Sequence, residues 1–363
     1  MIVAHDLGTS GNKASLHDEA GTTLATLTVD YPTAFAAGGA AEQDPEDWWE
    51  AVGSATRQLL ERAGVPGSAV TGVGMSGQMM GAVFLGEDHR PVRPAIIWAD
   101  TRSTAQADRL LAEVSQQEAY RRLGHRIHPT YTLAKMMWVR DHEPEQWART
   151  RHVCVAKDFV VQRLTGTLVT DPSDASGTDA FDQSTGEWSE LLLDAAGISP
   201  DVLPPVVPST TVVGGLTAEA AAHTGLLPGT PVVLGGGDGP MAAVGAGVLT
   251  PDDGAYVCLG SSAWISASTT EPLHDTPAMR SMTFNHVVPG HFVPTATMQA
   301  GGASLSWAMS LLGAAGQGYE ELLRQAATAP ATSSGRCSRG SPSTCAPASR
   351  PSPRTASPST AST

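Results

Sequence analysis

At 363 residues the chain has room for two domains of ordinary size. Hydrophobic residues make up 41%, enough for a packed core, while aromatics fall to 5% and glycines number 38, which favours an α/β protein with many tight strand-to-helix turns. A formal net charge of −14 argues against a nucleic-acid groove or an anionic membrane surface, because both need clustered Lys and Arg.

In chain order, residues 2–7 are a short apolar run closed by Gly8, and residues 13–18 and 22–29 carry strand patterning around the Glu19-Ala20-Gly21 turn. Asp44-Pro45 followed by Glu46 and Asp47 is a helix start, and the helix runs toward Gly64. Val70–Met75 reads as a buried strand, with Ala82–Leu85 and Ala95–Trp98 as further strands. Periodicity predicts helices over 103–122, 130–141 and 153–165. Residues 204–216 form a Pro/Val/Thr-rich connection, Pro231–Leu234 a strand, and Met241–Val248 a small-residue helix. Residues 254–267 repeat the opening order of strand, Gly-Ser turn and strand. No stretch is apolar and long enough to span a bilayer, and residues 1–10 lack the zones of a signal peptide, so a cytoplasmic location is expected. Cys154, Cys258, Cys337 and Cys345 form no CxxC pair, which argues against a zinc site or a disulfide framework.

Three short segments carry chemistry. Asp6-Leu7-Gly8-Thr9-Ser10, with Lys13, places an acid at a strand end before a turn whose N–H and hydroxyl groups can hold phosphate. An ordinary β-turn has the same composition. Gly235–Asp238 delivers a second strand-end acid, placed either to take a proton from an alcohol or to cap the helix behind it. The glycine spacing here does not fit a dinucleotide fingerprint. Leu259-Gly260-Ser261-Ser262 is a second glycine-hydroxyl turn. Together the three describe two phosphate loops around a nucleotide cleft.

The ordered set DLGTSGNK (6–13), SGQMMG (76–81), IIWADTR (96–102), KDFVVQRLTG (157–166), DASGT (174–178) and GGGDG (235–239) resembles the FGGY carbohydrate kinases over about residues 1–325. EQDPEDWW (42–49) and DHEPEQW (141–147) are most similar to the xylulokinases of that family. The resemblance implies a ribonuclease H-like α/β fold of the actin/hexokinase ATPase type, with a front lobe over 1–247 and the start of a second lobe over 248–328. It implies ATP and Mg²⁺ as cofactors and phosphorylation of a ketopentose such as D-xylulose. It implies that Asp6 lies at the metal and phosphates, with Asp238 also near the metal through water, and that Gly8, Thr9, Ser10 and Lys13 form the first phosphate site. Gly260, Ser261 and Ser262 match the second. Asp238 matches the base that deprotonates the sugar hydroxyl. Gln78, Met79, Met80 and Gly239 match sugar contacts, and Trp98, Asp100 and Arg102 match the segment that frames the sugar pocket, either as structural supports or in direct contact. A small-molecule partner is implied, with a homodimer left open.

The chain departs from the family at Met80, where xylulokinases usually carry His, and at Gly239, commonly Asn. Both changes remove polar contacts that would read sugar hydroxyls. Residues 329–363 differ from everything before them. From Ala331 onward only Ala, Thr, Ser, Gly, Arg, Cys and Pro occur, a composition expected to stay disordered. A shifted reading frame beyond codon 330 is the preferred origin, and a natural linker the alternative. On either account the chain is expected to lack the family's adenosine motif, so an incomplete fragment that at most binds sugar is the rival to an active kinase. An actin-like assembly ATPase is a third reading, against which SGQMMG and WADTR count.

Overall fold

The computed structural model describes residues 1–259 and 263–298, plus Ser304, Trp307, Met309 and Ser310 as helical positions. The molecule separates into two units, Met1–Ser304 and Leu305–Thr363, and the elements below belong to the first. The turn Gly260, Ser261, Ser262 and the tail from 329 lie outside the described residues.

Strands β1 (Ile2–Leu7), β2 (Gly11–His17) and β3 (Thr23–Asp30) form an antiparallel meander. β1 also pairs in parallel with Gly72–Gly77, which pairs in parallel with Pro231–Gly237; Val212–Gly215 closes that edge antiparallel. This six-stranded mixed sheet carries the site. A second, antiparallel sheet joins Ala255–Leu259, Ala263–Ala267, Phe292–Met298 and Met282–Asn285 in that spatial order.

Helix α1 (Pro45–Ala63) covers one face of the first sheet. Asp44 caps it by accepting the Glu46 N–H at 3.0 Å, and Gly64 ends it in the left-handed conformation at φ 66°. Trp48, Val52, Ala55 and Leu59 recur at helical spacing and are all buried. Burying each large side chain among them contributes about 1.5–3 kcal/mol. Val3, His5 and Leu7 of β1 face this dry layer, so His5 points away from Asp6. Its ring lies 3.0 Å from Asn12 Nδ2 and 3.2 Å from Thr56 Oγ1. Burial lowers the imidazole pKa to about 4.

Several elements differ from the sequence expectation, each for a local reason. The helix over 103–122 is two, Thr104–Glu113 and Gln116–Leu123, because Ser115 caps the second by accepting the Glu118 N–H. The segment 153–165 opens as strand His152–Cys154, which pairs with Val83–Leu85, before the helix Ala156–Thr165 begins. The connection 204–216 hides the edge strand Val212–Gly215. The helix expected over Met241–Val248 runs Asp238–Gly245 instead. Extended Gly237 caps it, and Pro240 is tolerated in its first turn, where the missing N–H would have no helical partner.

Candidate active site

The face of the sheet opposite α1 bears small and polar residues: Ala4 and Asp6 on β1, Lys13 and Ser15 on β2, Gly74 and Ser76 on the next strand. Small side chains leave room, and a cavity of about 720 Å³ opens there. Asp6, Lys13 and Asp238 line it together. The two acids, 232 residues apart in sequence, thus share one cleft.

Asp6 sits directly opposite Lys13 on β2, with Nζ to Oδ2 at 3.7 Å, and opposite Ser76 on the other side, whose hydroxyl donates to Oδ1 at 3.5 Å. Asp238 opens onto the cavity from the first turn of its helix, and its Oδ1 accepts the Gly239 N–H at 2.8 Å. Desolvation within the cleft, then the Asp6 charge, push its carboxyl up to about 6; the Gly239 bond opposes them. Among the described residues no group of three or more metal-binding side chains occurs. Two carboxylates facing one cavity nevertheless suit a hard cation that takes its other oxygens from water and phosphate.

The turn after β1 is held by its carbonyls. The Tyr31 hydroxyl donates to Gly8 O at 2.6 Å, and Tyr31 N donates to Ser10 O at 3.2 Å. Gln43 Nε2 and Thr33 Oγ1 donate to Thr9 O at 2.6 and 3.2 Å, and Trp98 Nε1 donates to Thr9 Oγ1 at 2.8 Å. Among the described residues no protein acceptor takes the Thr9 or Ser10 N–H, which suits an incoming anion.

Gln78 is buried, donating to Gln43 Oε1 at 2.8 Å, while its own Oε1 has no partner among the described residues. Met79 packs against the backbone that precedes Asp238: a Cβ on Gly237 would stand 2.5 Å from Met79 Cγ. Met80 holds a left-handed backbone at φ 65°, uncommon for a side chain of its size. The fully buried Lys135 pins it, donating to Met80 O at 2.6 Å and to Thr130 O. Burial lowers the Lys135 pKa to about 7, against the pull of Asp100 and Asp179. Trp98 meets the turn after β1. Of the site residues expected from sequence, Asp6, Lys13 and Asp238 line the cavity, whereas Gly8, Thr9, Ser10, Gln78, Met79, Met80, Trp98, Asp100, Arg102 and Gly239 are not part of its lining. Asp100 Oδ2 accepts the Ala41 N–H at 2.7 Å and pairs with Arg102 Nη2 at 2.6 Å; Arg102 also pairs with Glu42 at 2.8 Å. They brace the strand Ala40–Gln43, which carries Gln43 to the turn.

Sequence reasoning missed Tyr31, Gln43, Ser76 and Lys135, and a buried cluster behind Asp238. Lys157 Nζ lies 2.7 Å from Asp158, 3.3 Å from Asp171 and 3.3 Å from Asp174, all fully or almost fully buried. Burial alone would lower the Lys157 pKa, and the three carboxylates outweigh that and raise it. Burial raises those of Asp158 and Asp174, with Lys157 opposing. The available signal was a Lys-Asp pair leading straight into the apolar run Phe159-Val160-Val161.

The FGGY N-terminal domain of carbohydrate kinases matches residues 1–245. The chain belongs to the FGGY family of carbohydrate kinases. The xylulose kinase of Bacillus subtilis is 35% identical over 335 residues, covering 92% of this chain and 66% of the relative. The gluconokinase of the same organism is 29% identical over 303 residues, covering 83% and 58%. The ligand-bound xylulose kinase structure from Lactobacillus acidophilus superposes with a TM-score of 0.84 at 27% identity, covering 91% of this chain and 66% of that one. This FGGY-family chain therefore has the mixed α/β, actin-like ATPase fold, and it spans about two thirds of the length of the relatives it matches. Among the described residues no helix is long and apolar enough to cross a membrane.

Proposed function

We propose that the protein to which this chain belongs transfers the γ-phosphoryl group of ATP to a hydroxyl of a ketopentose, D-xylulose being the first candidate. The observation that supports this reading most is the convergence of Asp6 and Asp238 on one cavity. Asp238 acts as the base: with its carboxyl near 6 it is ionised at neutral pH, yet basic enough to take the hydroxyl proton as the sugar oxygen attacks phosphorus. The Thr9 and Ser10 N–H groups and Lys13 receive phosphate oxygens. Gly260, Ser261 and Ser262 are proposed as the opposing phosphate turn. Gln78, Met79, Met80 and Gly239 lie on the sugar side, and Trp98 borders the phosphate turn. Mg²⁺, held near Asp6 and Asp238 through water, supplies charge neutralisation when bound. Positioning and electrostatics carry the rest of the catalysis.

A sugar acid or another polyol is the second reading. Met80 cannot make the two-sided hydrogen bonds of imidazole, and a gluconokinase stands among the relatives. The test is MgATP-dependent phosphorylation over a panel of ketopentoses and aldonates, run on this 363-residue chain and on a version extended to the relatives' length. D-Xylulose giving the highest kcat/KM supports the first reading, and an aldonate giving it supports the second. Turnover by the extended protein alone means that the shorter chain is an incomplete kinase. No sugar-dependent turnover from either ends the proposal.

A further inference from the structure

The strand that delivers Asp238 is held unusually at its end. Val232 and Val233 pair with Val73 and Gly74, but the register then slips, and pairing resumes only at Gly236 and Gly237. Gly235 sits in the slip at φ 70°, where a Cβ would overlap the Met75 carbonyl oxygen. On the other side the edge strand stops pairing at Val233, and the chain is followed instead by Thr211 O and Ser209 O, which accept the Leu234 and Gly235 N–H groups at 3.0 and 2.9 Å. At Gly237, the residue before Asp238, a side chain steps in. Ser173 Oγ accepts the Gly237 N–H at 3.0 Å.

That hydroxyl is itself fixed. It donates to Asp171 Oδ2 at 2.5 Å, an oxygen that also accepts Ser209 Oγ at 2.6 Å and Ser173 N–H at 3.0 Å. The other Asp171 oxygen faces Lys157 Nζ at 3.3 Å. Lys157, Asp171 and Ser173 are all fully buried, and Ser209 nearly so. A serine hydroxyl has one proton; spending it on Asp171 leaves lone pairs as its only offer to Gly237, so the direction of both bonds is set. In a buried site such a chain holds its geometry firmly, because every broken link strands a polar group without water.

We propose that Ser173, oriented by Asp171 and Lys157, is the positioning residue of Asp238: it fixes the backbone at Gly237 and through it the aim of the carboxylate into the cleft. The proposal deepens the reading of Asp238 as base and rests on it for its catalytic meaning, while its mechanical part stands on the geometry alone. Small tilts of the first helical residue would move the carboxylate relative to a hydroxyl it must meet at hydrogen-bond distance.

The test is amide hydrogen exchange of the 363-residue chain, read on peptides covering 234–240 and, as an internal reference, α1 at 45–63, for wild type, Ser173→Ala and Ser209→Ala. Loss of one buried bond predicts exchange at 234–240 faster on the order of tenfold in Ser173→Ala, less in Ser209→Ala, with α1 unchanged. In the extended protein, kcat should fall by a similar factor with the sugar KM held. Unchanged exchange at 234–240, or acceleration spread equally over α1, overturns the proposal. Should Ser173→Ala not fold, Ser209→Ala decides by the same criterion, since it loosens Asp171 without touching Gly237. Asp238→Asn run beside them separates the two ideas: local exchange rising in Ser173→Ala while Asp238→Asn keeps its turnover leaves the positioning intact and removes the base.

Discussion

The two acids that meet in the cleft stand on strand ends held in opposite ways. Asp6 lies mid-sheet, paired on one side with Lys13 and on the other with Ser76 in unbroken registers. Asp238 follows a slipped, glycine-only strand end that leans on buried side chains from 171–176 and on the chain at 209–211. A ladder is made of backbone bonds and is cooperative, so its geometry follows from strand pairing alone. A strand end held by side chains depends on the identity of those side chains, and its aim can be tuned without disturbing the sheet.

The comparison breaks most visibly at Lys157. Replacing it with Met would leave the Asp158, Asp171 and Asp174 carboxyls buried without their cation, and urea unfolding should report a loss of about 3–5 kcal/mol. Gly235→Ala comes next, at about 3 kcal/mol, since it needs both a left-handed backbone and space occupied by the Met75 carbonyl. Gly8→Ala, beside the other acid, meets only Gly11 O at 3.3 Å and should cost less than about 1 kcal/mol in the same assay. Equal losses at Gly235 and Gly8 would erase the distinction between the two strand ends.

Much of the first strand end was legible in the sequence, and much of the second was not. Asp44-Pro45, Gly64 and the alternation in β1 are local signals, and α1 and the meander follow from them. His5 pointing away from Asp6 follows from strand geometry. The boundaries around Asp238 and Cys154 depend on partners far along the chain, Ser173 in one case and Val83–Leu85 in the other, and no window of sequence contains both halves. The same holds within the site. Thr9, Trp98 and Gln78 were visible as motif residues, whereas Gln43, which ties Thr9 to Gln78, shows its role only when strand Ala40–Gln43 is laid beside them. Asp100 and Arg102 carry the motif yet serve as a brace on that strand.

The two faces of the sheet should also titrate in opposite senses, a smaller effect. The His5 pKa is lowered from 6.5 to about 4 in the folded state, so the unfolded chain binds its proton first and stability falls as pH drops through that window. The Asp238 carboxyl is raised from 3.8 to about 6, so the folded chain keeps its proton longer and stability falls as pH rises through that range. Urea midpoints between pH 4 and 6.5 should therefore decline toward acid for wild type relative to His5→Gln, and toward neutral relative to Asp238→Asn. Parallel slopes in the first pair would remove the burial of His5 from the account, and in the second the upward shift of the Asp238 carboxyl.

The shared cleft itself is tested most directly by titrating the side-chain carboxyl carbon of Asp238 by NMR, assigned by its disappearance in Asp238→Asn, in wild type and in Asp6→Asn. The expected midpoint is about 6 in wild type and lower in Asp6→Asn, because the neighbouring negative charge is gone. An ordinary carboxylate midpoint in wild type, or one indifferent to the charge at position 6, would contradict a common crevice for the two acids.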